Sequence, residues 1–409
     1  MTSTANFKKV HFIGIGGSGL SALARLLKEQ GVVVSGSDLE QSKVTDNLEN
    51  LGVTVRIGEH EADNIESGVE LVVYTVATPS DNPELEQAEK LGILTMTYPK
   101  FVGYLTKMKY TIAVAGTHGK TTTTAMIGVM MEKAGLDPTV IVGSDVSEFG
   151  GNARSGQSKY LVVEADEYRR AFLNYYPKIA VVLNTEFDHP DCYQDLADVQ
   201  EAFTKFAGKA EQVIADVENI PNDLNLKLKL PGRHFLYDAL AAQQVGRALG
   251  IDDKIIKESL EGYQGSVRRF EQKGEVNGAL VIDDYAHHPT EIKATLKAAR
   301  GKYSDKRLVA VFQPHHQQRT QELFDDFAEA FTDADQVIVT DIYRVAGREE
   351  EIKVTARDLA EEIGNQSKNV KYINYAKLVD YLRENVKKGD VVLIMGAGDI
   401  TKVADKLVE

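Results

Sequence analysis

One cysteine, Cys192, stands among 409 residues, so no internal disulfide can form and a reducing compartment fits. No apolar run approaches the roughly 20 residues of a membrane span, and membrane insertion is not expected. Met1 to Lys9 lacks the pattern of a signal peptide and leads almost directly into a strand. Together these absences predict a cytoplasmic protein. Basic charge is also short. Lys and Arg number 47 against 61 Asp and Glu, a net charge of −14, whereas a nucleic-acid partner calls for a basic face. Low-complexity tracts and sequence-level repeats are missing. So are H-E-x-x-H and Cys-rich spacings, which leaves zinc little support.

What is present reads as a soluble globular chain, with 43% hydrophobic and 26% charged residues. Its length predicts two or three domains. Short apolar runs alternate with helical patterns in three α/β blocks, placed at 1–107, 108–266 and 267–409. The first block has strands at Val10–Ile15, Val32–Ser35, Val53–Ile57 and Leu71–Tyr74. The second has them at Tyr110–Ala115, Thr139–Val142, Tyr160–Glu164 and Ile179–Asn184. The third has them at Ala279–Asp283, Leu308–Phe312, Gln336–Thr340, Val370–Ile373 and Val391–Met395. Such alternation predicts mostly parallel sheets with right-handed crossovers, and ligands at the carboxyl ends of the strands.

The run Ala115-Gly116-Thr117-His118-Gly119-Lys120-Thr121-Thr122-Thr123 lies between a strand and a helix and reads as a phosphate-binding loop. Its small residues let backbone N–H groups point at a polyphosphate. Lys120 supplies a point charge and Thr121 a hydroxyl for Mg²⁺. The first glycine of the usual G-x-x-x-x-G-K-[ST] pattern falls on Val114. In the first block, Gly14-Ile15-Gly16-Gly17-Ser18-Gly19 follows a strand, with Asp38 about twenty residues on, which fits a dinucleotide fingerprint. Alone it would suggest an NAD-dependent oxidoreductase. A glycine turn at a helix N-terminus holds any pyrophosphate, however, and a second phosphate loop shifts the reading to a UDP-type ligand.

Further strand ends carry the remaining chemistry. Val163-Glu164-Ala165-Asp166-Glu167 ends a strand with three carboxylates, of which Glu164 is best placed for Mg²⁺. In Asn184-Thr185-Glu186-Phe187-Asp188-His189, His189 is either a metal ligand or a capping residue; convergence of strand ends on one phosphate site favours the ligand. Arg268-Arg269-Phe270 sits at a block boundary, where an arginine reaching a γ-phosphate would stabilise phosphoryl transfer. Asp283 to Glu291 and Gln313 to Arg319 each follow a strand. Their His287, His288, His315, His316 and Arg319 suit an acceptor substrate better than zinc.

Across essentially the whole chain these motifs resemble the Mur ligases, the ATP-dependent amino-acid ligases of peptidoglycan synthesis. Pro231-Gly232-Arg233-His234, Asp284-Tyr285-Ala286-His287-His288-Pro289-Thr290-Glu291 and Gly396-Ala397-Gly398-Asp399 complete the set. The resemblance implies an α/β chain of three domains: an N-terminal Rossmann-like domain for UDP, a central P-loop ATPase-type parallel sheet, and a C-terminal Rossmann-like domain for the amino acid. It implies that L-alanine is joined to the carboxylate of UDP-N-acetylmuramate through an acyl phosphate, with ATP and Mg²⁺, by a monomer or homodimer. The implied catalytic set is Lys120, Glu164, His189 and Arg269, with Thr121, Glu164 and His189 on metal. ATP falls to Gly116, Thr117, His118, Gly119, Lys120, Thr121, Thr122, Asp238, Arg269 and Asp284. The UDP-sugar falls to Gly16, Gly17, Ser18, Gly19, Ser37 and Asp38, and the amino acid to Tyr285, His287, His315 and Arg319. These residues span three blocks, so domain closure is expected.

Three departures from the family pattern stand out. Phe235 and Asp238 replace the asparagines that follow Pro-Gly-Arg-His, and Asp238 can accept from an adenine amino group but cannot donate. The family's Pro-His-Arg is Pro314-His315-His316, one cation fewer. Only Ala207 to Leu230 separates the central helix from Pro231, which predicts a trimmed central domain. The rival readings are a ligase that recycles a ready-made peptide and a non-catalytic nucleotide-binding regulator. Lys205 is the positional candidate for a carbamylated lysine.

Overall fold

Residues 7–344, 353–366 and 369–409 are described by a computed structural model; positions 1–6 of the Met1–Lys9 segment lie outside the described residues. The alternation of β-branched runs with helices produces three sheets among the described residues. They fall in two compact units. The first comprises Met1–Thr185, Ala197–Asn225 and Asp238–Glu261, and the second Glu186–Leu196, Leu226–Tyr237 and Gly262–Glu409.

The first unit holds two sheets. One is built from Lys9–Ile13 (β1), Val33–Asp38 (β2), Thr54–Ile57 (β3), Leu71–Tyr74 (β4) and Leu94–Thr97 (β5). Its order is β3-β2-β1-β4-β5, with all pairs parallel. The other contains Tyr110–Ala115 (β6), Thr139–Val146 (β7), Gly151–Arg154 (β8), Tyr160–Glu164 (β9), Ile179–Val182 (β10) and Gln212–Ile214 (β11). Its order is β11-β10-β6-β9-β7-β8, parallel except for the antiparallel β7–β8 hairpin.

The second unit holds Glu271–Val276 (β12), Ala279–Asp284 (β13), Leu308–Phe312 (β14), Gln336–Val339 (β15), Val370–Tyr372 (β16) and Val391–Met395 (β17), in the order β12-β13-β17-β14-β15-β16. Only β12 is antiparallel to its neighbour. Both faces of this sheet are covered. Ala310 and Phe312 pack into one buried cluster with Ile282 and Leu393, while Val309 and Val311 pack into another with Val281 and Ile394. Burial on two sides explains why β14 reads as an uninterrupted apolar run rather than an alternation.

Two helices of the first unit are shaped by glycine. Helix Lys120–Lys133 is buried from Thr121 through Met131, and Gly128 leaves room where a Cβ would stand 2.8 Å from Phe149 and 2.9 Å from Val140. In helix Tyr98–Met108, Gly103 lies against the backbone carbonyl of Asn174, which a Cβ would strike. Between β11 and helix Arg233–Ala248 the chain makes only one short 3-10 turn, Val217–Asn219.

Candidate functional site

The phosphate-loop candidate begins where β6 ends. Gly119 takes φ +83°, a conformation glycine adopts without strain, and a Cβ there would run into the Asp238 carboxylate. Asp238 is therefore seated against the loop. The Lys120 ammonium folds back to the carbonyls of Gly116 (2.6 Å) and Thr117 (3.1 Å) and pairs with Glu167 at 2.8 Å. Burial works against this charge, but Glu167, Asp166 and Glu164 outweigh it and hold Lys120 above the ordinary lysine range. The Thr121 hydroxyl donates to Glu164 Oε1 at 3.0 Å, and Gly143 N–H of β7 donates to Glu164 Oε2 at 2.7 Å. Asn184, two residues past the end of β10, clamps the loop. Its side chain accepts from His118 N–H (2.8 Å) and donates to His118 C=O (3.1 Å).

Sequence reasoning missed Gly143 and did not single out Asn184 or Glu167. The last two stood within quoted motifs, but which acid pairs with the lysine depends on backbone geometry. A hydroxyl and a carboxylate 3.0 Å apart beside a phosphate loop are a hard-oxygen donor set, which fits Mg²⁺. Lys205, the positional candidate for carbamylation, pairs with Glu201 (2.7 Å) in an exposed i,i+4 bridge.

The glycine turn after β1 is held by the end of β2. Gly14 and Ile15 N–H both donate to Ser37 C=O (2.9 and 3.0 Å), and Gly16 N–H to Asp38 Oδ2 (2.8 Å). Gly17 precedes helix Ser18–Glu29 without any side-chain cap hydrogen bond to the first-turn amides. The Tyr98 ring fills the space where a Cβ on Gly19 would stand, 2.7 Å from Cζ. Ser37 and Asp38, expected as sugar-nucleotide contacts, hold the turn through the Ser37 carbonyl and the Asp38 carboxylate, and the Ser37 hydroxyl donates to Glu84. Next to this turn, Arg25 of the same helix donates to the carbonyls of Phe149 (3.2 Å) and Gly150 (2.6 Å) at the tip of the β7–β8 hairpin. Asn152 returns a bond to Ser18 C=O at 2.8 Å.

In the second unit, the two arginines of the Arg268-Arg269-Phe270 turn separate in role. Arg268 lies 3.3 Å from Asp283 and donates to the carbonyls of Gly396 and Gly398, so it ties the last glycine loop down. Arg269 lies over the Tyr285 ring (4.9 Å) and 4.0 Å from Glu291. Positive φ at Arg268 (60°) and Phe270 (52°) shows backbone strain here, maintained by Asp284 accepting from Phe270 N–H (2.8 Å) and Ala286 N–H (2.9 Å). Burial pushes the Asp284 carboxyl up to about 6, with Arg269 opposing. Both oxygens of Asp284 are occupied, since Thr295 also donates to Oδ1 at 3.2 Å. Asp284, expected on ATP, holds the turn in this structure.

Tyr285, His287, His315 and Arg319 do come together. Tyr285 meets His287 edge-on at 5.3 Å, His287 lies 6.2 Å from His315, and His315 stacks on Tyr343 at 5.3 Å. Burial first, then the nearby His316, His287 and Arg319, push His315 down to about 2, so it is neutral. Arg319, however, makes a bidentate pair with the buried Asp188 (2.8 and 3.1 Å), and its remaining edge faces His315 Nδ1 at 3.5 Å. Burial opposes ionisation of Asp188, but Arg319, His189 and His287 hold it far below the ordinary carboxylate range. His189 takes φ +57° with its ring 3.7 Å from Asp188. Phe235, in place of a family asparagine, is buried with Phe270, Ile292 and Leu296. Its side chain packs rather than reads a base.

Comparison with known proteins covers the same stretches. Residues 9–110 match the model of the Mur ligase family catalytic domain, 114–220 the Mur ligase middle domain, and 268–398 the Mur ligase glutamate ligase domain. A UDP-N-acetylmuramate--L-alanine ligase of Caldanaerobacter subterraneus subsp. tengcongensis is 40% identical, over 98% of both chains. The chain belongs to the Mur ligase family. A Clostridium tetani relative of the same name is 42% identical over 97% of both chains. Among solved structures, this Mur ligase is similar to the UDP-N-acetylmuramate-alanine ligase MurC of Thermotoga maritima, with a TM-score of 0.83, 29% identity and 98% of both chains covered. It is less similar to a murein peptide ligase of Psychrobacter arcticus, with a TM-score of 0.69, 25% identity and 98% of both chains covered. The Caldanaerobacter alignment occupies 453 positions against 409 residues here, so that relative carries residues this Mur ligase lacks. The α/β fold in three domains, expected from the motifs, is that of the family.

Proposed function

We propose that this Mur ligase joins L-alanine to the carboxylate of UDP-N-acetylmuramate at the expense of ATP, in peptidoglycan precursor synthesis. The observation that carries the reading is the full-length likeness to ligases of that name, together with a loop whose Lys120 pairs with Glu167 and whose Thr121 donates to Glu164. We assign residues 1–107 to the UDP-sugar, 108–266 to ATP and 267–409 to the amino acid.

The uncapped start of helix Ser18–Glu29 offers its amides to the diphosphate. Lys120 exchanges its loop carbonyls for phosphate oxygens and neutralises charge as the γ-phosphoryl group moves to the muramoyl carboxylate. Thr121 and Glu164, with His189 as a further ligand, would hold Mg²⁺, which supplies charge neutralisation when bound. Arg269 is assigned to the γ-phosphate, and Asp238 to ATP from beside Gly119. The acyl phosphate then has a good leaving group. The L-alanine amine adds to its carbonyl carbon, the tetrahedral intermediate collapses, and phosphate leaves. His287 and the neutral His315, with Tyr285 and the His315-facing edge of Arg319, line the proposed amino-acid subsite. No described helix is long and apolar enough to cross a membrane. We place the protein in the cytoplasm, as a monomer or homodimer.

Phosphate release from ATP and UDP-N-acetylmuramate, measured separately with L-alanine, L-serine, glycine and L-Ala-γ-D-Glu-meso-diaminopimelate, tests the assignment. Release that needs both the sugar nucleotide and L-alanine is expected. Release only with the tripeptide would move the chain to the recycling ligases.

A further inference from the structure

Beneath the glycine turn lies a buried polar cluster that no step of the reaction uses. Glu84, with no exposed surface, sits in the first turn of helix Pro83–Lys90, whose preceding Asn82 caps Glu84 and Leu85 N–H at 2.9 and 3.3 Å. A helix N-terminus favours a carboxylate there. Four donors from four different segments reach it, each at 2.9 Å. His11 Nε2 of β1 and Ser37 Oγ of β2 meet Oε2, while His60 Nδ1 and Asn64 Nδ2 meet Oε1. His11 Nδ1 closes the circuit on Ser35 Oγ at 2.9 Å. Burial works to raise the Glu84 pKa, but donors from His11, Asn64 and His60 outweigh it and bring the group down to about 2.

Ser37 connects this cluster to the ligand side. Its hydroxyl is held by Glu84, and its carbonyl takes the N–H groups of Gly14 and Ile15. The next residue, Asp38, takes the N–H of Gly16. Three successive amides of the turn are therefore fixed by two residues, one of which is pinned from below by a carboxylate. Hydrophobic residues could fill that volume without the desolvation cost that a buried carboxylate carries.

We propose that Glu84 is a positioning residue for sugar-nucleotide binding, acting through Ser37 to set the Gly14–Gly16 turn. The proposal rests on the reading that this turn binds UDP-N-acetylmuramate. Glu84→Gln keeps the shape but turns an NH₂ group toward two of the four donors. Calorimetry of the intact enzyme with UDP-N-acetylmuramate is expected to show affinity weakened about tenfold, with the KM for ATP and the saturated kcat within about twofold of the parent. Asn64→Ala removes one donor remote from the turn and is the second variant; about threefold weaker binding is expected. If Glu84→Gln fails to fold, the Asn64→Ala measurement decides. Lower melting temperatures with unchanged UDP-N-acetylmuramate affinity in the folded variants would make the cluster purely structural and overturn the proposal. A parent enzyme that binds ATP but no UDP-N-acetylmuramate would instead overturn the reading beneath it.

Discussion

At the scale of the residue, two cations carry opposite tasks. Lys120 is parked on loop carbonyls and Glu167, a stand-in arrangement that phosphate oxygens can replace. Lys120→Ala is expected to lower alanine-dependent phosphate release by about a thousandfold or more while leaving UDP-N-acetylmuramate binding by calorimetry intact. Unchanged turnover would remove the loop from the mechanism. Arg319, by contrast, compensates a buried charge. Arg319→Met takes from the buried Asp188 its bidentate partner, and urea unfolding is expected to show a loss of about 3–5 kcal/mol. Adding Asp188→Asn should recover part of that loss. If the double variant is as unstable as the single, Arg319 matters for packing alone.

At the scale of the element, glycines inside helices run against propensity. Gly103→Ala should stabilise an isolated helix by about 1 kcal/mol. Here the new methyl meets the Asn174 backbone, and a loss of about 1–3 kcal/mol in thermal or urea unfolding is expected instead. Strands buried on both faces, such as β6, β14 and β17, were legible because their apolar runs are continuous and end in turns. Four strands were not. β5 and β11 are short and partly exposed, and β8 reads Gly-Asn-Ala-Arg. Each forms because a neighbour supplies a ladder, which no local pattern announces. β12, Glu-Gln-Lys-Gly-Glu-Val, is likewise a polar ribbon paired only with β13. The site was legible where glycine spacing and a lysine fix a loop. The partner that a polar side chain takes within the fold was not legible. Nothing in Ser37, Asp38 or Asp284 as letters shows that their oxygens turn to backbone amides and interior groups. Phe235 is similar: its departure from the family pattern is visible, but its place in a core is not.

At the scale of the whole molecule, burial sets two pH-dependent terms of opposite sign. His234 is driven down to about 4 by burial, with Glu291 opposing, so it stays neutral in the native state while the unfolded chain binds a proton near pH 6.5. Its contribution is present above pH 6.5 and lost as pH falls toward 4. Asp284, raised to about 6, contributes below pH 4 and loses that contribution as pH rises through 6. Removing the first term isolates it. Relative to the parent, His234→Gln is expected to gain about 2–3 kcal/mol in urea unfolding between pH 7.5 and pH 4. A constant difference across that range would mean His234 titrates normally in the folded protein. The contact of Arg25 with the β7–β8 tip has a different kind of consequence. The stretch that matches the first family domain, residues 9–110, looks like an exchangeable module, yet its first helix is latched to the β7–β8 hairpin beyond it, on the strand that also touches Glu164. A graft of another family member's first domain therefore has to bring the arginine and its hairpin together.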